Sequence, residues 1–176
     1  MEMRFYDCAE DIELAIKNML IDKFQTNVTS VFTSYSAQDV AEFGEAMPAP
    51  DFLEANIKLG NIETMLLGQD SFPCVLIDCA DEDFLRKGSH SVMSGKNYAV
   101  EIVICVTHDD ITYLDRINKR TAKAMIKTLL ENCYLSGKCN GMAYRHISYS
   151  HPLMGVDSKG WFRATLHQLE VAGITD

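Results

Sequence analysis

No stretch of about 18 uncharged apolar residues occurs, the length a helix needs to cross a bilayer. The best run, Tyr98 to Val106, is interrupted by Glu101, so no membrane-spanning helix is expected. The N-terminus lacks the basic start and apolar stretch of a secretory signal and carries Glu2, Arg4, Asp7, Glu10 and Asp11 instead. Positive charge is in deficit, with 16 Lys and Arg against 25 Asp and Glu, a formal net charge of −9 and a pI near 5.0. Such a field repels phosphate backbones and anionic membranes, which makes general nucleic-acid binding a poor expectation. The six cysteines include no Cys-x-x-Cys pair. Disulfide-dense scaffolds are short and secreted, so a reducing, cytoplasmic setting and packed thiols are expected here.

Catalytic signatures are equally scarce. There is no Gly-x-Ser-x-Gly elbow, no phosphate-cradling glycine loop and no dinucleotide fingerprint. Asp78, Asp81, Glu82, Asp83, Asp109 and Asp110 fall near the ends of predicted strands, where converging carboxylates could hold Mg²⁺ or Mn²⁺ for phosphoryl transfer. Glu101, however, is followed by Ile102, Val103 and Ile104 rather than by a lysine. Acids at strand ends more often cap helices or solvate loops. Cys133, Cys139, His146 and His151 supply zinc-type donors at spacings unlike those of zinc sites. Five histidines, His90, His108, His146, His151 and His167, favour no thiol–base pair. The expectation is no catalytic residue, no metal and no cofactor.

What is present is the patterning of one domain, since 176 residues match the size of a single unit that buries roughly 70% of its unfolded surface. Ile12, Ala15, Ile16, Met19, Leu20 and Phe24 recur at helical spacing, and Asp7 with Glu10 suits a capping box, which predicts a helix from near Cys8. Val28 to Tyr35 alternates and is rich in β-branched residues, predicting a strand. Residues 36–70, broken by Pro48 and Pro50 and containing a helix-like run from Leu53 to Leu67, are expected to be an insertion.

Ser71 to Cys79 reads as a proline-led interior strand. In Asn97 to Thr107, Tyr98, Val100, Ile102, Ile104 and Val106 share the predicted core face. Arg86 to Lys96 reads as a long mobile hairpin loop between those strands. Asp109 or Asp110 is expected to cap a helix from about Thr112 to Cys133 whose inward stripe is Leu114, Ile117, Thr121, Ala124, Met125 and Leu129. Ala143 to Ser150 and Trp161 to Val171 then form a predicted hairpin. The fold class expected is α+β: a single, mostly antiparallel or mixed sheet with two main helices on one face, plus the insertion.

One surface feature stands out. Arg116, Lys119, Arg120, Lys123 and Lys127 lie three or four apart on the long helix, opposite its apolar stripe, a basic face on an acidic protein. A solvated helix exterior is the plain explanation. The functional one is contact with an acidic neighbouring subunit or with passing DNA, helped by Arg86, Lys87 and Lys96 in the loop.

The run Tyr98-Ala-Val-Glu-Ile-Val-Ile-Cys-Val106 leads through His108-Asp-Asp into Thr112-Tyr-Leu-Asp-Arg-Ile117. With the closing Trp161-Phe-Arg-Ala-Thr-Leu-His-Gln-Leu-Glu-Val171, this layout resembles the tail-terminator and neck or tail-completion proteins of tailed bacteriophages over Cys8 to Tyr35 and Phe72 to Val171. The resemblance implies a virion protein made in the host cytoplasm, forming a homo-oligomeric ring, commonly of six copies. Such a ring ends tail-tube growth, docks the head-completion or connector protein, and meets DNA only as it passes through. It implies no catalysis. Two other classes stay open from the residues: a metal-dependent phosphoryl-transfer enzyme using the strand-end acids, and a regulatory domain binding a small molecule in an apolar pocket.

Overall fold

The computed structural model describes residues 9–60, 72–82, 97–154 and 160–172. Its first element is a 35-residue helix, α1 (Ala9–Phe43). The stripe seen in its first half does not stop at Phe24: Val28, Val31, Phe32 and Asp39 continue it at steps of three, four and seven, all buried. The strand predicted over Val28 to Tyr35 is therefore the middle of α1. Local β-propensity loses there to burial of one continuous helical face, and the hydroxyls find partners within the helix. Thr33 Oγ1 donates to the Thr29 carbonyl at 2.9 Å and Ser34 Oγ to that of Val31 at 2.6 Å. Asp7, the expected cap, lies outside the described residues.

Gly44, with φ +84°, ends α1 in the left-handed region that glycine enters without strain. The chain then doubles back along the helix. Asp39 Oδ2 accepts the Met47 amide at 3.3 Å, Gln25 Oε1 accepts the Phe52 amide at 2.9 Å, and the Phe24 and Phe52 rings sit 4.9 Å apart. A single 3₁₀ turn leads into β1 (Ile57–Leu59). The described part of the expected insertion thus completes α1, supplies Met47, Phe52 and Ile57 to the core and adds a sheet strand. The helix-like run from Leu53 is replaced as far as Gly60 by that turn and strand; its remainder to Leu67 lies outside the described residues.

The remaining elements are β2 (Cys74–Glu82), β3 (Asn97–His108), α2 (Ile111–Glu131), β4 (Gly141–Tyr149), β5 (Leu153–Met154) and β6 (Trp161–Ala172). All but β5, which falls in the connection between the last two predicted strands, match the predicted strands and long helix to within three residues at each end. The mixed sheet runs β1-β2-β3-β6-β4, with β5 beside the start of β6. Among the described strands only the β1–β2 pair is parallel. The hairpin loop expected between β2 and β3 lies outside the described residues.

Both helices pack on one face of the sheet, against Val75 and Ile77 of β2 and the predicted core face of β3. The inward stripe of α2 is as expected, and its cap is Asp110, whose Oδ1 accepts the Thr112 amide at 2.7 Å. Polar groups enter this core between α2 and β6. Thr165 Oγ1 donates to Asn118 Oδ1 at 2.8 Å, and the Tyr144 hydroxyl lies 3.3 Å from Nδ1 of the buried His167. The opposite face carries a smaller apolar cluster, Cys74, Leu76, Val103 and Cys105, flanked by Ala164 and Leu166.

Candidate functional site: surfaces of the sheet and of the second helix

The strand-end acids do not converge. Asp78 lies opposite Glu101 toward one end of the β2–β3 pair, with Asp81 and Glu82 further along β2. Asp109 and Asp110 follow His108 at the other end. Seven residues separate Glu101 from His108, roughly 23 Å at the rise of a strand. Asp110 is already engaged as the α2 cap, and Asp83 lies outside the described residues. The zinc-type donors are also dispersed. Cys139 precedes β4 and donates to the Cys133 carbonyl at 3.4 Å, whereas His151 follows β4, whose nine residues span roughly 30 Å. No group of three or more His, Cys, Asp or Glu that could hold a metal ion occurs among the described residues.

The basic residues of α2 have a different setting from the open face that helical spacing suggests. Because α1 runs on to Phe43, its second half lies alongside them. Arg120 is 6% exposed and meets the fully buried Asp39 through two bonds of 2.5 and 2.6 Å. Its guanidinium also sits 4.5 Å from the centre of the Tyr35 ring. The Arg120 hydrogen bonds, opposed by burial and aided by the Met47 amide, hold the Asp39 carboxyl below the usual carboxylate range.

Arg116 pairs with Glu42 at 2.6 Å and lies over the Phe43 ring, and Lys123 donates to the Tyr35 hydroxyl at 3.0 Å. Lys127 reaches Ser30 at 3.5 Å. Lys119, bound to Asp115 at 2.7 Å, remains 61% exposed. The structure therefore gathers Arg116, Arg120, Lys123 and Lys127 onto α1, and Arg120 is removed from any external surface. Arg86, Lys87 and Lys96 lie outside the described residues.

The accessible features are on the sheet. On the helix-free face an open groove of about 450 Å³ is lined by Glu101, Arg145, Gln168 and Glu170 with the backbone between them. Its polar groups satisfy one another: Gln168 donates to Glu101 at 2.7 Å, Asn97 to Glu170 at 2.8 Å, and Arg145 pairs with Glu170. The groove lacks the apolar depth expected of a small-molecule pocket.

At the sheet margin no described strand lies beyond β4, all nine of whose residues are half-buried or exposed. Its ladder slips between Tyr144 and His146, a bulge that sets Arg145 apart from the pairing. Tyr149 at the end of β4 and Leu153 beyond it are 45% and 51% exposed. Leu153 lies opposite Phe162, and Phe162 stacks on the exposed Phe72 with ring centres 6.3 Å apart. Sequence reasoning did not single out this apolar corner. Phe72, Leu153 and Phe162 are distant in the chain, and only strand register makes them neighbours.

Neither a protein-family model nor a curated protein sequence matches the chain.

Proposed function

We propose that this protein is a structural assembly subunit of the phage tail-terminator kind, building a homo-oligomeric ring that caps a tail tube and receives the head-completion or connector protein. The observation that carries this reading is the β4 margin. A nine-residue strand presents its outer edge to no described partner, ends on the exposed Tyr149 and leads on to the exposed Leu153. An unpaired strand edge beside apolar side chains is a ready template for another polypeptide. A ring closes when two unlike surfaces of one subunit match head to tail. The net charge of −9 suits a ring that must pass DNA without holding it.

The order of helix, proline-led strand, long strand, long helix and closing strand supports the same reading, because it is the layout on which the resemblance rests. A neck or tail-completion subunit at another station would use the same surfaces. The phosphoryl-transfer alternative loses support, since its acids are split between the two ends of the sheet.

Mass photometry of the purified protein, alone and mixed with a tail-tube protein, tests the proposal. Discrete closed oligomers, or their formation on mixing, are expected. A monomer indifferent to every virion protein would remove the proposal.

A further inference from the structure

Cys74 and Cys105 stand directly opposite one another on β2 and β3, on the helix-free face. Both are free thiols with no exposed surface. Directly opposed residues of an antiparallel pair have Cα atoms about 4.5–5.5 Å apart. That lies inside the range a disulfide spans without backbone movement. Each thiol lies within reach of the other. No other described cysteine competes for either, because Cys79 of β2 faces the helices and Cys133 and Cys139 follow α2.

The pair is not symmetric. Lys58 of β1 lies opposite Leu76, on the strand that carries Cys74, and its charge acts on Cys74. The hydrogen bond from Cys105, opposed by burial and aided by Lys58, holds the Cys74 thiol below its ordinary range. The same bond and burial push Cys105 up. Lys58 borders β2 and not β3, so its charge favours an anion at Cys74 over one at Cys105, the asymmetry found where one cysteine is attacked by an oxidant and a second resolves it.

We propose that Cys74 and Cys105 form a reversible oxidation site for small hydroperoxides, in which Cys74 reacts with the peroxide and Cys105 closes a cross-strand disulfide. The Cys74 thiolate attacks one oxygen of hydrogen peroxide, and the O–O bond breaks. Hydroxide leaves and becomes water by taking the proton that Cys74 had lost. The sulfur is oxidised to the sulfenic acid and the peroxide is reduced. Cys105 Sγ then attacks the Cys74 sulfur, the S–S bond forms, the S–O bond breaks, and the oxygen departs as a second water with the Cys105 proton. Two thiols and one peroxide give one disulfide and two waters, and a small dithiol reverses the change by exchange. Burial confines the reaction to oxidants small enough to enter on a local opening of the sheet. The proposal does not depend on the assembly reading.

Native protein is treated with hydrogen peroxide, the remaining thiols are blocked, and peptides are mapped by mass without reduction. The expected product joins the Cys74 and Cys105 peptides with loss of two hydrogens and is cleaved by dithiothreitol. In Cys105→Ser, dimedone is expected to label Cys74; in Cys74→Ser, Cys105 is expected to stay unlabelled. Recovery of both as free thiols after exposed methionines have oxidised would overturn the proposal, as would a disulfide to any other cysteine or dimedone on Cys105. The unsubstituted protein decides the pairing even where a variant fails to fold.

Discussion

Asp39 and Arg120 leave water together, and each is tolerable only because the other is there. Removing one partner of a buried ion pair leaves an uncompensated charge, at a cost of about 3–5 kcal/mol, whereas replacing both by apolar groups is often neutral. Asp39→Ala is therefore expected to lower stability in urea by roughly that amount, and Asp39→Leu with Arg120→Met to recover most of it. Equal losses in the single and double variants would show the pair to be unimportant. Because the folded carboxyl lies below its unfolded value of about 3.9, the stabilisation is fully present above that pH and is lost as pH falls through the folded value.

His167 works in the same direction from a different cause. Burial lowers its pKa to about 4, against about 6.5 in an unfolded chain. The unfolded chain therefore takes up a proton first. The stability that comes from keeping the imidazole neutral is complete above about pH 6.5 and drains as pH falls toward the folded value. Between pH 7.5 and 5 this amounts to about 2 kcal/mol. Urea midpoints of His167→Phe are expected to depend less on pH over that range than those of the parent; parallel profiles would contradict the assignment.

At the scale of elements, α1 is where local and global preferences conflict. Thr29 is exposed within the segment that alternation marks as a strand and that the structure makes helical. Thr29→Ala is expected to raise stability by about 0.5 kcal/mol, because Ala is the better helix former. In a strand the same change would lower stability, so the sign of the shift in thermal unfolding discriminates between the two. The signal for a continuous helix was present in the chain: Phe24, Val28, Val31, Phe32, Tyr35 and Asp39 prolong the earlier spacing. It was obscured by a run of Thr, Ser and Val, and by a charged residue on the buried stripe. Asp39 reads as an exterior position until Arg120, 81 residues away, is known to meet it. By contrast α2, β2, β3 and β6 were legible, because in each the periodicity, the turn chemistry and the eventual burial agree.

For the whole molecule, the assembly proposal makes the open margin of the sheet the surface through which copies meet. Leu153→Asp adds a charge to the exposed corner beside Phe162 and leaves both helices and the main core untouched. Under the assembly proposal it is expected to raise the dissociation constant of the oligomer or tube complex by at least about tenfold, corresponding to about 1.4 kcal/mol. The thermal midpoint should remain nearly unchanged. Undiminished assembly in sedimentation would move the interface elsewhere.

The chain by itself determined the features that near neighbours in sequence control: the strong amphipathic stripe of α2, a cap at Asp109 or Asp110, the alternating core face of β3 and the α+β class. These are settled by side chains within a few residues of one another, where 3.6-residue and two-residue repeats fix which groups share a face. Tertiary structure decided the rest. It extended α1 through β-prone residues, turned part of a basic face into the contact between two helices, sent the acids to opposite ends of the sheet, and set Cys74 against Cys105. Each of those outcomes depends on which distant segment arrives alongside. That choice is made by burial and pairing across the whole core; the helical spacing that runs on through α1 records the first of these outcomes, and no local repeat records the others.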